Sequence, residues 1–142
     1  MGIITKLDLN GNISIHDPVR FISSETGDLT IKRSRLLSLN NEYETILNLK
    51  VGWDSRTELV VQVKALENGD ILANISTKLY PGPNHSGTET GDSTQDFLIG
   101  RMESKSLTYD LRVGGTGFLN EFDYKAYSKI TLNFANFPEN NG

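Results

Sequence analysis

Apolar and polar residues alternate along most of the chain, and turn residues interrupt the alternation every eight to fourteen positions or so. A period of two marks strands that bury one face, because successive side chains on a strand point to opposite sides. The clearest run spans residues 43–80. Tyr43, Thr45, Leu47, Leu49, Val51 and Trp53 occupy odd positions, as do Leu59, Val61, Val63 and Ala65, and then Ile71, Ala73, Ile75, Thr77 and Leu79. Each set predicts one buried face, and together they predict a three-strand meander. Directly opposed residues of an antiparallel pair share a face, so pairing odd with odd requires loops of odd length. Three-residue loops at Asp54-Ser55-Arg56 and Asn68-Gly69-Asp70 meet this condition. They set Val51 opposite Leu59, Ala65 opposite Ala73 and Val63 opposite Ile75. A two-residue Asn68-Gly69 turn would put Val63 opposite Asn74 and expose an apolar face, so a bulged or longer loop is expected there.

The same parity predicts that Leu7 and Leu9 match Ile13 and Ile15 across an odd loop at Asn10-Gly11-Asn12. Further strands are expected at 19–23, 29–33, 36–39, 97–102, 107–113 and 128–134. In the last of these the apolar set is even: Ile130, Leu132 and Phe134. The stretch 120–127 is the best candidate for a short helical turn. The segment 81–95 is long and polar, 114–120 is glycine-rich, and both are read as loops. The sum is an all-β fold with about ten short strands and little or no helix. An antiparallel β-sandwich of jelly-roll or C2-like/lectin-like kind is the expected architecture, because each sheet has one apolar face to cover. A closed barrel is the alternative.

With 142 residues the chain is read as a single domain over 1–137, followed by a flexible polar tail at 138–142. It contains no cysteine, so no disulfide or thiolate site exists. The N-terminal stretch lacks a basic region followed by an apolar one, and a cytoplasmic location is expected. No segment approaches the roughly 20 apolar residues of a membrane helix, so no transmembrane segment is expected. A net charge of −4 argues against nucleic acid as a partner, since such binding needs a basic footprint.

Candidate chemistry is sparse. The two histidines, His16 and His85, stand far apart, and no zinc, phosphate-loop or nucleophile-elbow pattern occurs. The chain is therefore read as a non-enzyme. Asp8-X-Asn10-X-Asn12 resembles the opening of a calcium loop, but the sixth and twelfth places hold Ile13 and Val19, so it is read as an ordinary turn. Asp92 and Asp96 flank the long loop and form a weak calcium candidate. Trp53, beside Asp54 and Arg56 at a strand end, suits stacking on a sugar ring with hydrogen bonds to its hydroxyls. Asn84 and His85 on the long loop extend that candidate site. On the outer face of the meander, the expected register sets Asn48, Gln62 and Ser76 in one row, with Lys50, Lys64 and Lys78 near it. Lys32-Arg33-Ser34-Arg35 is read as a charged edge.

A small β-sandwich of this kind is similar in outline to lectins, C2-like lipid-binding domains, carbohydrate-binding modules and virion or fibre subunits. Likeness at that level does not fix function. The expected function is a non-catalytic binding module, with carbohydrate the leading ligand class and no cofactor beyond the calcium candidate. A structural protein forming homo-oligomers or binding another protein through a sheet face or edge is the first alternative. A calcium-dependent lipid-binding C2-like domain is the second.

Overall fold

The structure is a computed structural model, and it describes residues 3–17, 25–39, 42–52, 56–80, 93–114 and 124–137. Among these residues the fold is entirely β. The strands are β1 (Ile3–Asp17), β2 (Glu25–Ser38), β3 (Glu44–Gly52), β4 (Arg56–Ala65), β5 (Ile71–Tyr80), β6 (Ser93–Ile99), β7 (Glu103–Gly114) and β8 (Tyr124–Phe137). They form two antiparallel sheets of four strands, ordered β2-β1-β8-β7 and β3-β4-β5-β6. Strands adjacent in sequence lie adjacent in each sheet, and β1 pairs with β8 to make the centre of the first. This is a meander, not the pair of Greek keys that builds a jelly roll.

The apolar faces of both sheets enter one buried cluster. It includes Leu7, Leu9 and Ile13 of β1, Ile130, Leu132 and Phe134 of β8, Leu59, Val61 and Val63 of β4, and Ile71 and Ile75 of β5. The odd faces expected for residues 47–51, 59–65 and 71–79 and the even face expected for 128–134 are the ones turned to the core. The Phe97 and Phe134 rings meet across the sheets at 5.7 Å between centroids. Tyr109 of β7 donates its hydroxyl to Gln95 Oε1 of β6 at 2.8 Å. Arg35 of β2 pairs with Glu44 of β3.

Asn136, fully buried near the end of β8, ties the two sheets together. Its Nδ2 donates to the Gly69 carbonyl at 2.9 Å and to the Ile99 carbonyl at 3.0 Å. Its Oδ1 accepts from the Thr5 hydroxyl.

The strands number eight among the described residues, not about ten. Asn10-Gly11-Asn12 is not a turn. β1 runs straight through it, with Gly11 opposite Ile31 on one side and Leu132 on the other. A Cβ at Gly11 would stand 1.9 Å from the Thr131 carbonyl oxygen, so glycine is required here by a close backbone neighbour. The stretches 29–33 and 36–39 merge into β2, because pairing with β1 continues unbroken through Arg33, Ser34 and Arg35. Residues 124–127 are strand, not part of a helical turn, and pair along β7 and β1. The strand expected at 19–23, the tail 138–142, and residues 81–92 and 115–120 of the two predicted loops lie outside the described residues.

Both meander loops are odd, as parity demands, but the register differs by two residues. Val51 faces Thr57, not Leu59, and Val63 faces Ala73, not Ile75. The second loop holds five residues, Leu66 to Asp70, closed by a 2.8 Å bond from the Leu66 amide to the Asp70 carbonyl. Gly69 takes a φ of 93° in it, and Asn68 Oδ1 accepts from the Asp70 amide at 3.0 Å. A bulge in β3 between Thr45 and Leu47 changes the face of what precedes it. Leu47 faces the core opposite Val61, while Thr45 faces outward opposite Gln62. Tyr43 and Thr45 therefore leave the buried face expected for them.

Candidate functional site on the outer face of the second sheet

The outward residues of β3 to β6 form parallel lines that run across the strands. One line is polar: Thr45, Gln62, Asn74 and Asp96 stand in register. Gln62 Nε2 donates to Thr45 Oγ1 at 3.2 Å, and Asn74 Nδ2 donates to Asp96 Oδ1 at 2.8 Å. These bonds orient the amides and leave the remaining lone pairs and N–H groups facing outward.

The neighbouring line is largely apolar. Lys64, Leu72 and Leu98 stand in register, and Leu98 is 45% exposed. Tyr43 continues this line beyond β4: the Lys64 ammonium lies 4.8 Å from the centroid of its ring. Desolvation, and secondarily the negative charge of Asp96, push the Tyr43 phenol above its ordinary pKa. On the other side of the polar line run Asn48, Val60, Ser76 and Thr94, then Lys50, Glu58 and Lys78. Lys50 and Glu58 approach to 3.9 Å.

The expected row of Asn48, Gln62 and Ser76 does not form. Gln62 aligns with Asn74 and Asp96, while Asn48 and Ser76 align with Val60, a consequence of the two-residue register difference. Of the residues expected to bind ligand or metal, Asp96 is the one whose side chain is described, and it lies on the polar line. Trp53, Asp54, Asn84, His85 and Asp92 lie outside the described residues. Of Arg56 the backbone alone is described, opposite Gly52 and Tyr80. Among the described residues no three histidine, aspartate or glutamate side chains converge on a point. Parity missed Tyr43, Thr45, Asn74, Leu72 and Leu98 as site residues. A signal for the first two was present: Ile46 and Leu47 are consecutive apolar residues, which strict alternation does not allow without a bulge.

A small open cavity of about 200 Å³ sits elsewhere, lined by Glu67, Asn68, Gly69 and Arg101 at the turn ends. It is smaller than the roughly 300–1,000 Å³ usual for ligand pockets, so the sheet face is the stronger candidate.

Comparison with protein-family models, with characterised proteins and with solved structures finds no match for this chain.

Proposed function

We propose that this protein is a non-catalytic binding module that takes carbohydrate on the outer face of β3 to β6. The observation that carries the reading is the line Thr45, Gln62, Asn74 and Asp96 with the Tyr43 ring beside it. Sugar hydroxyls both donate and accept. Amide side chains answer both needs, a carboxylate accepts, and an aromatic ring gives the C–H face of a sugar an apolar neighbour. The sequence supports a non-catalytic role, because its two histidines and lack of nucleophile or metal motifs offer no constellation for turnover.

The reading takes the two sheets as the layers of an antiparallel sandwich. The shared buried cluster and the cross-sheet bonds of Asn136 and Tyr109 support that stacking. Its outer face is then a rigid platform whose side chains are held from beneath.

The test is a glycan array probed with and without calcium, followed by titration of any hit with Gln62→Ala and Asn74→Ala. We expect binding that needs no calcium and weakens by about tenfold in each variant, the scale of one lost hydrogen-bonding group. Both side chains point outward, so melting temperatures stay near the parent's. An array with no hits in either condition sinks the proposal. Binding that appears with calcium alone points instead to the acidic residues of the calcium candidate.

A further inference from the structure

The two adjacent lines differ in chemistry and run in the same direction, across the strands. One offers hydroxyl, amide and carboxylate groups: Thr45, Gln62, Asn74 and Asp96. The other offers Tyr43, the alkyl stem of Lys64, Leu72 and exposed Leu98. From this pairing we infer, resting on the carbohydrate reading above, that the ligand is an extended, uncharged, linear glycan lying perpendicular to the strands.

Three features of the face carry this. A chain of pyranose rings is itself two-sided, with C–H faces and hydroxyl edges. Laid along the lines, it sets its faces on Tyr43, Leu72 and Leu98 and its edges on Gln62, Asn74 and Asp96. Laid along a strand, it would cross polar and apolar lines in turn and satisfy neither. The second feature is spacing. Strands lie about 4.8 Å apart, close to the advance of an extended glycan chain per ring, so each strand presents one polar group to one ring. Four strands give a platform about 14 Å long, enough for three to four rings. The third is charge. Lys64 and Asp96 are the only ionised groups on the two lines and are opposite in sign, so the two lines are neutral together and do not select a polyanion.

The experiment is calorimetric titration with β-1,4-linked glucose oligomers from the monosaccharide to the hexasaccharide, and with a polyuronate of matching length. The expected result is an affinity that climbs about tenfold or more up to three or four rings and then levels, with the polyuronate binding no better. Leu98→Asp should weaken the tetrasaccharide by about tenfold while Leu98→Phe retains it, both with melting curves like the parent's. Affinity that ignores chain length, or a Leu98→Asp protein that binds as the parent does, overturns the inference and leaves the carbohydrate reading standing. A preference for the polyuronate overturns the charge argument and with it the inference. No binding to any neutral oligomer, when the array shows other glycans bound, also overturns it. Silence from both array and oligomers removes the two together.

Discussion

At the scale of single residues, Asn136 holds together parts of the chain that are far apart in sequence. Its amide serves Thr5 of β1, Gly69 of the β4–β5 turn and Ile99 of β6 in a dry environment. An apolar replacement of similar volume leaves two carbonyls and a hydroxyl without partners. Asn136→Leu should cost about 3 kcal/mol in urea unfolding, since each stranded buried group costs about 1–3 kcal/mol and some relaxation will recover part of it. Two other buried hydroxyls, those of Thr57 and Thr77, have no partner among the described residues. Tyr109 brings a pH dependence. Burial raises its pKa above the ordinary 10.0. A folded-state pKa above the unfolded one means the folded protein holds this proton more tightly. The corresponding stability is fully present below the unfolded pKa and is lost as pH rises through the folded one. Ionisation also removes the proton that Tyr109 donates to Gln95. Denaturation curves taken from about pH 9 to pH 11 should show stability falling, and the fall should be shallower in Tyr109→Phe. An identical fall in both would assign it to other groups.

At the scale of elements, faces were legible in the sequence and registers were not. Alternation alone identifies which side of β4, β5 and β8 is buried, because burying Leu59, Val61 and Val63 on one side leaves no other solution. Parity also demands odd loops. It does not choose between three and five residues, and that choice decided whether Gln62 lines up with Ser76 or with Asn74. The five-residue loop is settled by Asn68 and Asp70 bonding to each other and by the Gly69 amide donating to the Leu66 carbonyl, local chemistry that a count of apolar positions does not contain. Asn10-Gly11-Asn12 misled in the opposite sense: a glycine needed for close approach of β8 has the same letter as one needed for a turn. So the fold class could be read, the register could not, and a site made of aligned side chains on four strands depends on register. The edge strands carry a further message. Arg33 and Arg35 of β2 lie opposite Leu9 and Leu7, on the core side of the sheet, yet they are exposed. Lys105 of β7 likewise lies opposite Phe134, and donates to the Leu98 carbonyl at 3.0 Å. Charged side chains placed inward on an edge oppose the addition of another strand. The double variant Arg33→Val, Arg35→Val should self-associate in sedimentation velocity at concentrations where the parent does not. If it sediments as the parent does, the charges are not guarding that edge.

At the scale of the whole molecule, β1 and β8 form the centre of one sheet, with Lys6 directly opposite Phe137. The strands at the two extremes of the described chain are therefore neighbours, and the last contact to close in sequence is also the most central. This makes the order of the strands cyclic in all but covalent terms. A circularly permuted version follows: a short Gly/Ser bridge can join the segment after Phe137 to the segment before Ile3, and new ends can be opened elsewhere. Opened between Tyr80 and Ser93, the permutant breaks no described pairing and should melt within a few degrees of the parent. Opened between Leu66 and Asp70, it releases the carbonyl of Gly69 that Asn136 holds, and it should melt well below. In that sense the 66–70 turn, and not the join between β8 and β1, is the place at which this fold is hardest to cut.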